Sequence, residues 1–213
     1  MRCITVIADF DEWAIAIMIY CLAALITFMP ILIAMMKKVE LKPGGDSFNE
    51  SPHFSDENKK LLSQHYSRIQ GTLIFWKNKA EWNKRFHYYV LCWTLPISII
   101  IPAMLTFVDL EVYAKLFLTI MSLHSAVMLG FHRALKVENN FKAFRYGESE
   151  FYDLYRRLLD RPTSFGDTEE EQIESYFVET EIIRKYVRAA ETDNFPTVED
   201  RTNMNTVVRS KKQ

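Results

Sequence analysis

The sequence predicts an all-α integral membrane protein with three transmembrane helices, long cytoplasmic helices and a cytoplasmic C-terminal helical hairpin. Three observations predict it. Residues 13–36 carry no charged side chain. Two more apolar segments, 87–108 and 113–133, are separated only by the short acidic turn Asp109-Leu110-Glu111. Basic residues gather at one end of each segment. The mean hydropathy of −0.08 hides this pattern, because apolar residues are segregated along the 213-residue chain rather than spread through it.

Span one is long enough to cross a bilayer, whose hydrocarbon core needs about 20 apolar residues in helical form so that every backbone polar group is satisfied internally. A cleavable signal peptide would have a basic lead-in and an apolar core of about 7–15 residues. Here Asp9, Asp11 and Glu12 precede a much longer run. Lysine and arginine stay on the cytoplasmic side of a membrane. Lys37, Lys38 and Lys42 follow span one, Lys77, Lys79, Lys84 and Arg85 precede span two, and Arg133 and Lys136 follow span three. All three agree on an outer N-terminus and a cytoplasmic C-terminus. The net charge of −1 points to no acidic or nucleic-acid partner.

The chain divides accordingly. Residues 1–36 form the outer N-terminus and span one, and 37–55 a cytoplasmic linker of loop composition around Gly44-Gly45. Residues 56–135 form a cytoplasmic helix that continues into the transmembrane hairpin. Within it Leu62, Tyr66, Ile69, Leu73, Trp76 and Ala80 recur at spacings of four and three, one face of a helix. Ser55 is placed as its N-cap, with Asp56 and Glu57 in the first turn. Residues 136–193 form a helical hairpin. Val137, Phe141, Phe144, Phe151, Tyr155 and Leu158 make one stripe, and Arg161-Pro162 ends it. Thr168 and Glu171 match a capping box for a second helix carrying Ile173, Tyr176, Phe177, Thr180, Ile183 and Val187. Asn194 and Pro196 close that helix, and 194–213 reads as a disordered tail.

Cys3, Cys21 and Cys92 form no CxxC and no Cys/His metal spacing, and the sequence has no Gly-rich phosphate loop or nucleophile elbow. No metal, cofactor or enzymatic activity is expected.

From the helix that leads into span two onward, the order of motifs resembles the SLATT family, two-transmembrane effector domains associated with nucleotide second-messenger synthetases in bacterial defence. A helix ends in Arg85-Phe86-His87-Tyr88-Tyr89, and a tightly turned span pair follows. Then come Phe144-Arg145-Tyr146-Gly147-Glu148, Tyr155-Arg156-Arg157 and Phe177-Val178-Glu179-Thr180-Glu181. The resemblance covers residues 64–190, and span one is an addition to the minimal two-span pattern. It implies a pore-forming effector in the bacterial inner membrane, gated by a nucleotide or oligonucleotide ligand. Its genetic partner would be a cognate nucleotidyltransferase-type synthetase, and its opening would disrupt the membrane gradient of an infected cell. The alternative is a non-conducting membrane anchor whose cytoplasmic helices recruit a soluble enzyme.

Span three suits a pore wall. Lys115, Thr119, Ser122, Ala126 and Arg133 share one helical face with Ser125 and Gly130 beside it, and a polar stripe in a membrane should face the bundle or water. The same small residues also suit close helix packing. Thr119, Ser122 and Ser125 should find partners in a neighbouring copy, so a closed homo-oligomer is expected, most plausibly a tetramer. His124 reads either as a gate or proton sensor or as a neutral side chain bonded to a neighbouring helix. In span two, Thr94, Ser98 and Thr106 are placed to satisfy carbonyls freed by Pro96 and Pro102.

Candidate ligand contacts are Lys77, Lys79, Lys84 and Arg85, in a segment that mixes bases with aromatic rings. Such a surface suits phosphates and bases, and equally an interfacial belt at the inner leaflet. Arg145 is spaced to pair with Glu148 at i,i+3. Arg156 and Arg157 are expected to be free to meet an anion.

Overall fold

The computed structural model describes residues 12–37, 41, 47–107 and 112–191. Asp9, Asp11, Lys38, Lys42, Gly44-Gly45, the acidic turn at 109–111 and the tail at 194–213 lie outside them. Five α-helices carry the fold: α1 (Glu12–Met36), α2 (Asp56–Phe107), α3 (Val112–Ala134), α4 (Val137–Asp160) and α5 (Glu169–Glu191). Two short 3-10 turns, Phe48–Glu50 and Pro162–Ser164, precede α2 and α5.

Three of these helices, α1, α2 in its apolar stretch and α3, are long and apolar enough to cross a membrane. They bury little of that apolar surface within the protein, 6% of the best window in α1 and 17% in α3. Ile19, Leu25, Ile99, Leu105 and Leu123 all stand exposed. A soluble chain would hide such a surface, whereas a bilayer covers it. The chain is built as a multi-pass helical membrane protein.

Contacts sort the chain into two compact units. One comprises Met1–Lys37 with Trp82–Glu138, the other Lys38–Glu81 with Asn139–Gln213. α2 runs unbroken through the division, which falls between Glu81 and Trp82. The sequence placed a boundary at 135/136 and Val137 on the stripe of the following helix. In the structure Val137 is fully buried in the membrane unit, clustered with Ile31, Phe86, Tyr89 and Val90. Between α3 and α4 the backbone turns at Lys136, whose φ of 46° puts a non-glycine residue in the left-handed region.

In the second unit the expected stripes become one core. Leu62, Ile69, Leu73, Trp76 and Ala80 of α2 pack with Phe144, Phe151, Tyr155 and Leu158 of α4, and with Ile173, Tyr176 and Val187 of α5. The segment read as a linker joins them. Phe48 and Phe54 are buried in this core, and Ser47 N–H donates to Glu50 Oε2 at 2.9 Å across the 3-10 turn. Thr168 caps α5 as expected, its Oγ1 accepting from Glu171 N–H at 3.3 Å. The return bond differs: Glu171 Oε2 accepts from Asp167 N–H at 3.0 Å, one residue before the cap.

Candidate functional site

Within the membrane unit, α3 turns Ala114, Leu118 and Met121 inward. At 100° per residue, the stripe of Lys115, Thr119, Ser122, Ala126 and Arg133 lies roughly a third of a turn away. All five are exposed, with Ser125 half-buried beside them. The protomer does not use this face. The hydroxyls, however, are already satisfied: Thr119 Oγ1 donates to Lys115 O and Ser122 Oγ to Leu118 O, each at 2.8 Å. With those protons already donated, Thr119 and Ser122 need no acceptor in another copy, and what remains is a small, polar, exposed face.

His124 points to the other side of α3 and is bonded to two neighbouring helices. Its Nδ1 lies 2.6 Å from Tyr20 Oη of α1 and its Nε2 3.2 Å from Tyr89 Oη of α2. Trp93 Nε1–H donates to Thr27 Oγ1 at 3.0 Å, joining α2 to α1. Nearer the C-terminal end of α3, His87 Nδ1 and His132 Nε2 meet at 2.8 Å. None of these pairings was assigned from the sequence. The available signal was that Tyr20, Tyr89 and Trp93 carry polar atoms inside apolar spans, where such atoms need partners.

The proline expectation is corrected. Pro96 and Pro102 lack the N–H groups that would bond the carbonyls of Cys92 and Ser98. The hydroxyls of Thr94, Ser98 and Thr106 donate instead to Val90 O, Leu95 O and Pro102 O, at 2.8, 2.7 and 3.0 Å. Each bonds the preceding turn of its own helix, the ordinary habit of serine and threonine in a helix, and not a freed carbonyl.

The seven candidate ligand cations divide between the two units. Lys84 and Arg85 belong to the membrane unit, where Arg85 Nη1 donates to Pro30 O of α1 at 3.4 Å. In the second unit, Lys77 and Arg145 converge on one carboxylate. Glu148 has a side chain only 7% exposed, with Arg145 Nη1 at 2.8 Å and Lys77 Nζ at 3.7 Å. The predicted i,i+3 pair is thus present, and Lys77 joins it. Lys79 Nζ lies over the Phe75 ring at 5.6 Å. Arg156 is exposed. Arg157, expected to be free, is corrected: it pairs with Glu179 of α5 and covers the Phe165 ring at 4.6 Å. An unpaired reading failed because Glu179 is 22 residues away, beyond any local spacing rule.

Other polar features of this unit escaped the sequence. His65 packs against the Phe177 and Tyr176 rings at 4.4 and 5.5 Å. Burial, then the positive charges of Arg184 and Arg68, push its imidazole down to about 4. Glu169 accepts from Asn58 Nδ2 at 2.6 Å and Ser55 N–H at 3.1 Å, and these bonds hold its carboxyl below the usual range. An open groove of about 450 Å³ runs along the first turns of α2, lined by Asn49, Lys59, Lys60, Ser63, Gln64 and Ser67.

Comparison with protein families, curated proteins and solved structures finds no match to this chain.

Proposed function

We propose that this protein is an oligomeric pore-forming membrane effector whose cytoplasmic helices sense a nucleotide or oligonucleotide ligand. One observation carries the reading. The Lys115–Arg133 stripe of α3 is polar and small, lies in a helix apolar enough to cross the membrane, and faces away from its own protomer. A polar face set against lipid costs free energy, and a closed ring of identical chains would cover it or wet it. A tetramer satisfies this with one copy of α3 per wall. Lys115 and Arg133 at its two ends would favour anions.

The order of motifs that resembles the SLATT family supplies the rest of the reading: a bacterial inner membrane, an outer N-terminus and a synthetase as genetic partner. The basic flanks Lys37, Lys84, Arg85 and Arg133 agree with that orientation. Within the second unit, Lys77, Lys79, Arg145 and Arg156 are the cations that a phosphate would meet.

A second reading, a non-conducting anchor that recruits a soluble enzyme, is favoured by the ion pairs. Glu148 occupies Lys77 and Arg145, and Glu179 occupies Arg157, so these cations are held in structure before any phosphate arrives. Mass measurement of the protein in native nanodiscs tests the oligomer that the first reading requires. A closed ring of about four copies is expected; monomer alone at working concentration would refute the pore.

A further inference from the structure

Contacts inside the membrane unit fix the register of its three apolar helices. Trp13 meets Phe117 and Tyr20 meets His124, so α1 and α3 run in the same direction. Tyr20 packs on Trp93, Phe28 on Tyr89, and Pro30 O accepts from Arg85, so α2 runs against α1. His87 and His132 bring the start of the apolar stretch of α2 beside the end of α3. One end of the unit therefore gathers the last turns of α1, the 82–87 stretch of α2 and the end of α3.

Five cations stand at that end, all of them exposed: Lys37, Lys84, Arg85, Arg133 and Lys136. Lys84 and Arg85 are level with Pro30, Arg133 follows His132, and Lys136 precedes Val137, which is buried with Phe86 and Ile31. At 1.5 Å per residue, these four lie within about one helical turn of one another along the bundle. Lys37 comes seven residues after Pro30, about 10 Å farther along α1. Among the described residues of this unit, the one carboxylate at the same end is Glu138. At the opposite end, marked by the Trp13–Phe117 contact, Glu12 and Lys115 cancel. Towards the middle of the spans the surface beside the cations turns apolar, with Met29, Tyr88, Leu129 and Phe131 all exposed.

We propose that this collar of cations binds the phosphate headgroups of anionic phospholipids, whose acyl chains lie on the apolar surface beside it. Exposed apolar side chains within about a turn of exposed cations match a molecule that carries both chemistries. A nucleotide or a free phosphate would use the cations alone. Each basic residue next to an anionic lipid surface strengthens binding about fivefold. A guanidinium can also take two phosphate oxygens at once, which positions a headgroup rather than merely attracting it. Phosphatidylcholine offers the same phosphate but brings a quaternary ammonium that the collar repels, so the collar selects lipids of net negative charge. The claim needs neither a pore nor a nucleotide ligand.

The test titrates the full chain, purified in a neutral detergent, with phosphatidylglycerol or phosphatidylcholine and counts bound lipids by native mass spectrometry. Phosphatidylglycerol should bind about 25-fold more tightly or better, the effect of two or more basic residues. That preference should shrink as salt is raised. Lys84→Gln combined with Arg85→Gln should cost about 25-fold of it, and Arg133→Gln about fivefold. Lys115→Gln removes one charge from the same helix as Arg133, at the other end, and should leave the preference unchanged. All these positions are exposed and glutamine is nearly as good a helix former as lysine or arginine, so the variants keep the fold. Equal binding of the two lipids by the wild-type chain, or a preference untouched in the collar variants, would overturn the proposal. So would displacement of phosphatidylglycerol by an equal concentration of inorganic phosphate or adenosine triphosphate, which would make the cations a site for free anions.

Discussion

Gly147 of α4 lies directly beneath Val187 of α5. A β-carbon added at Gly147 would overlap Val187 Cγ2 and stand 3.2 Å from Cε3 of Trp76. Both neighbours are buried in the core of the second unit. Val187 is stiff at χ1, and the indole has nowhere to retreat in a close-packed interior. Gly147 therefore sets how closely α4 approaches α5 and α2.

Gly147→Ala should destabilise the protein by about 1–2 kcal/mol, overpacking outweighing the roughly 1 kcal/mol gain in helix propensity. Gly71→Ala in α2 supplies the contrast. Nothing lies within 4 Å of its added carbon, so the propensity gain stands alone and stability should rise by about 0.5–1 kcal/mol. Thermal unfolding of the two variants in one detergent should move in opposite directions.

His65 makes stability depend on pH. Its pKa is about 4 in the folded protein against an ordinary 6.5, so the unfolded chain binds the extra proton first. Stability is fully present above pH 6.5 and is lost as pH falls through 4. Because the ring is only half-buried, solvent screening holds the loss to about 1–2 kcal/mol. His65→Phe keeps the ring contacts with Tyr176 and Phe177 and should flatten the acid limb of the unfolding curve between pH 6.5 and 4. An acid limb as steep as wild type would place the proton uptake elsewhere.

Topology follows from the charge flanks. In a chain freed of Cys3, Cys21 and Cys92, cysteine at Asp109 should react with an impermeant reagent added outside intact cells, and cysteine at Asp56 or Glu150 should not. Labelling of position 150 from outside would reverse the orientation.

What could be read from the sequence was whatever repeats along one helix. The four-and-three spacing from Leu62 to Ala80 marks a buried face because a helix returns to the same side at those steps, and the apolar runs mark membrane helices by length alone. What could not be read was pairing between helices. Tyr20 and His124 are 104 residues apart, and their bond depends on the register of α1 against α3. Arg157 looked free because Glu179 reaches it from α5. Phe48 and Phe54 were hidden for another reason: the segment between them is too short to show any period, so two core aromatics passed as linker. Thr119 and Ser122 were recognised as a stripe, but no spacing rule says that a hydroxyl will bond its own helix.

Conductance of the purified protein in a planar bilayer tests the pore most directly. The recordings would be made with and without a panel of nucleotide triphosphates, cyclic dinucleotides and short oligonucleotides. Discrete current steps are predicted, with anions preferred, and Ser122→Trp on the exposed face of α3 should abolish them while the oligomer keeps its mass. A silent bilayer under every condition, from protein that assembles as a closed ring, would contradict the account.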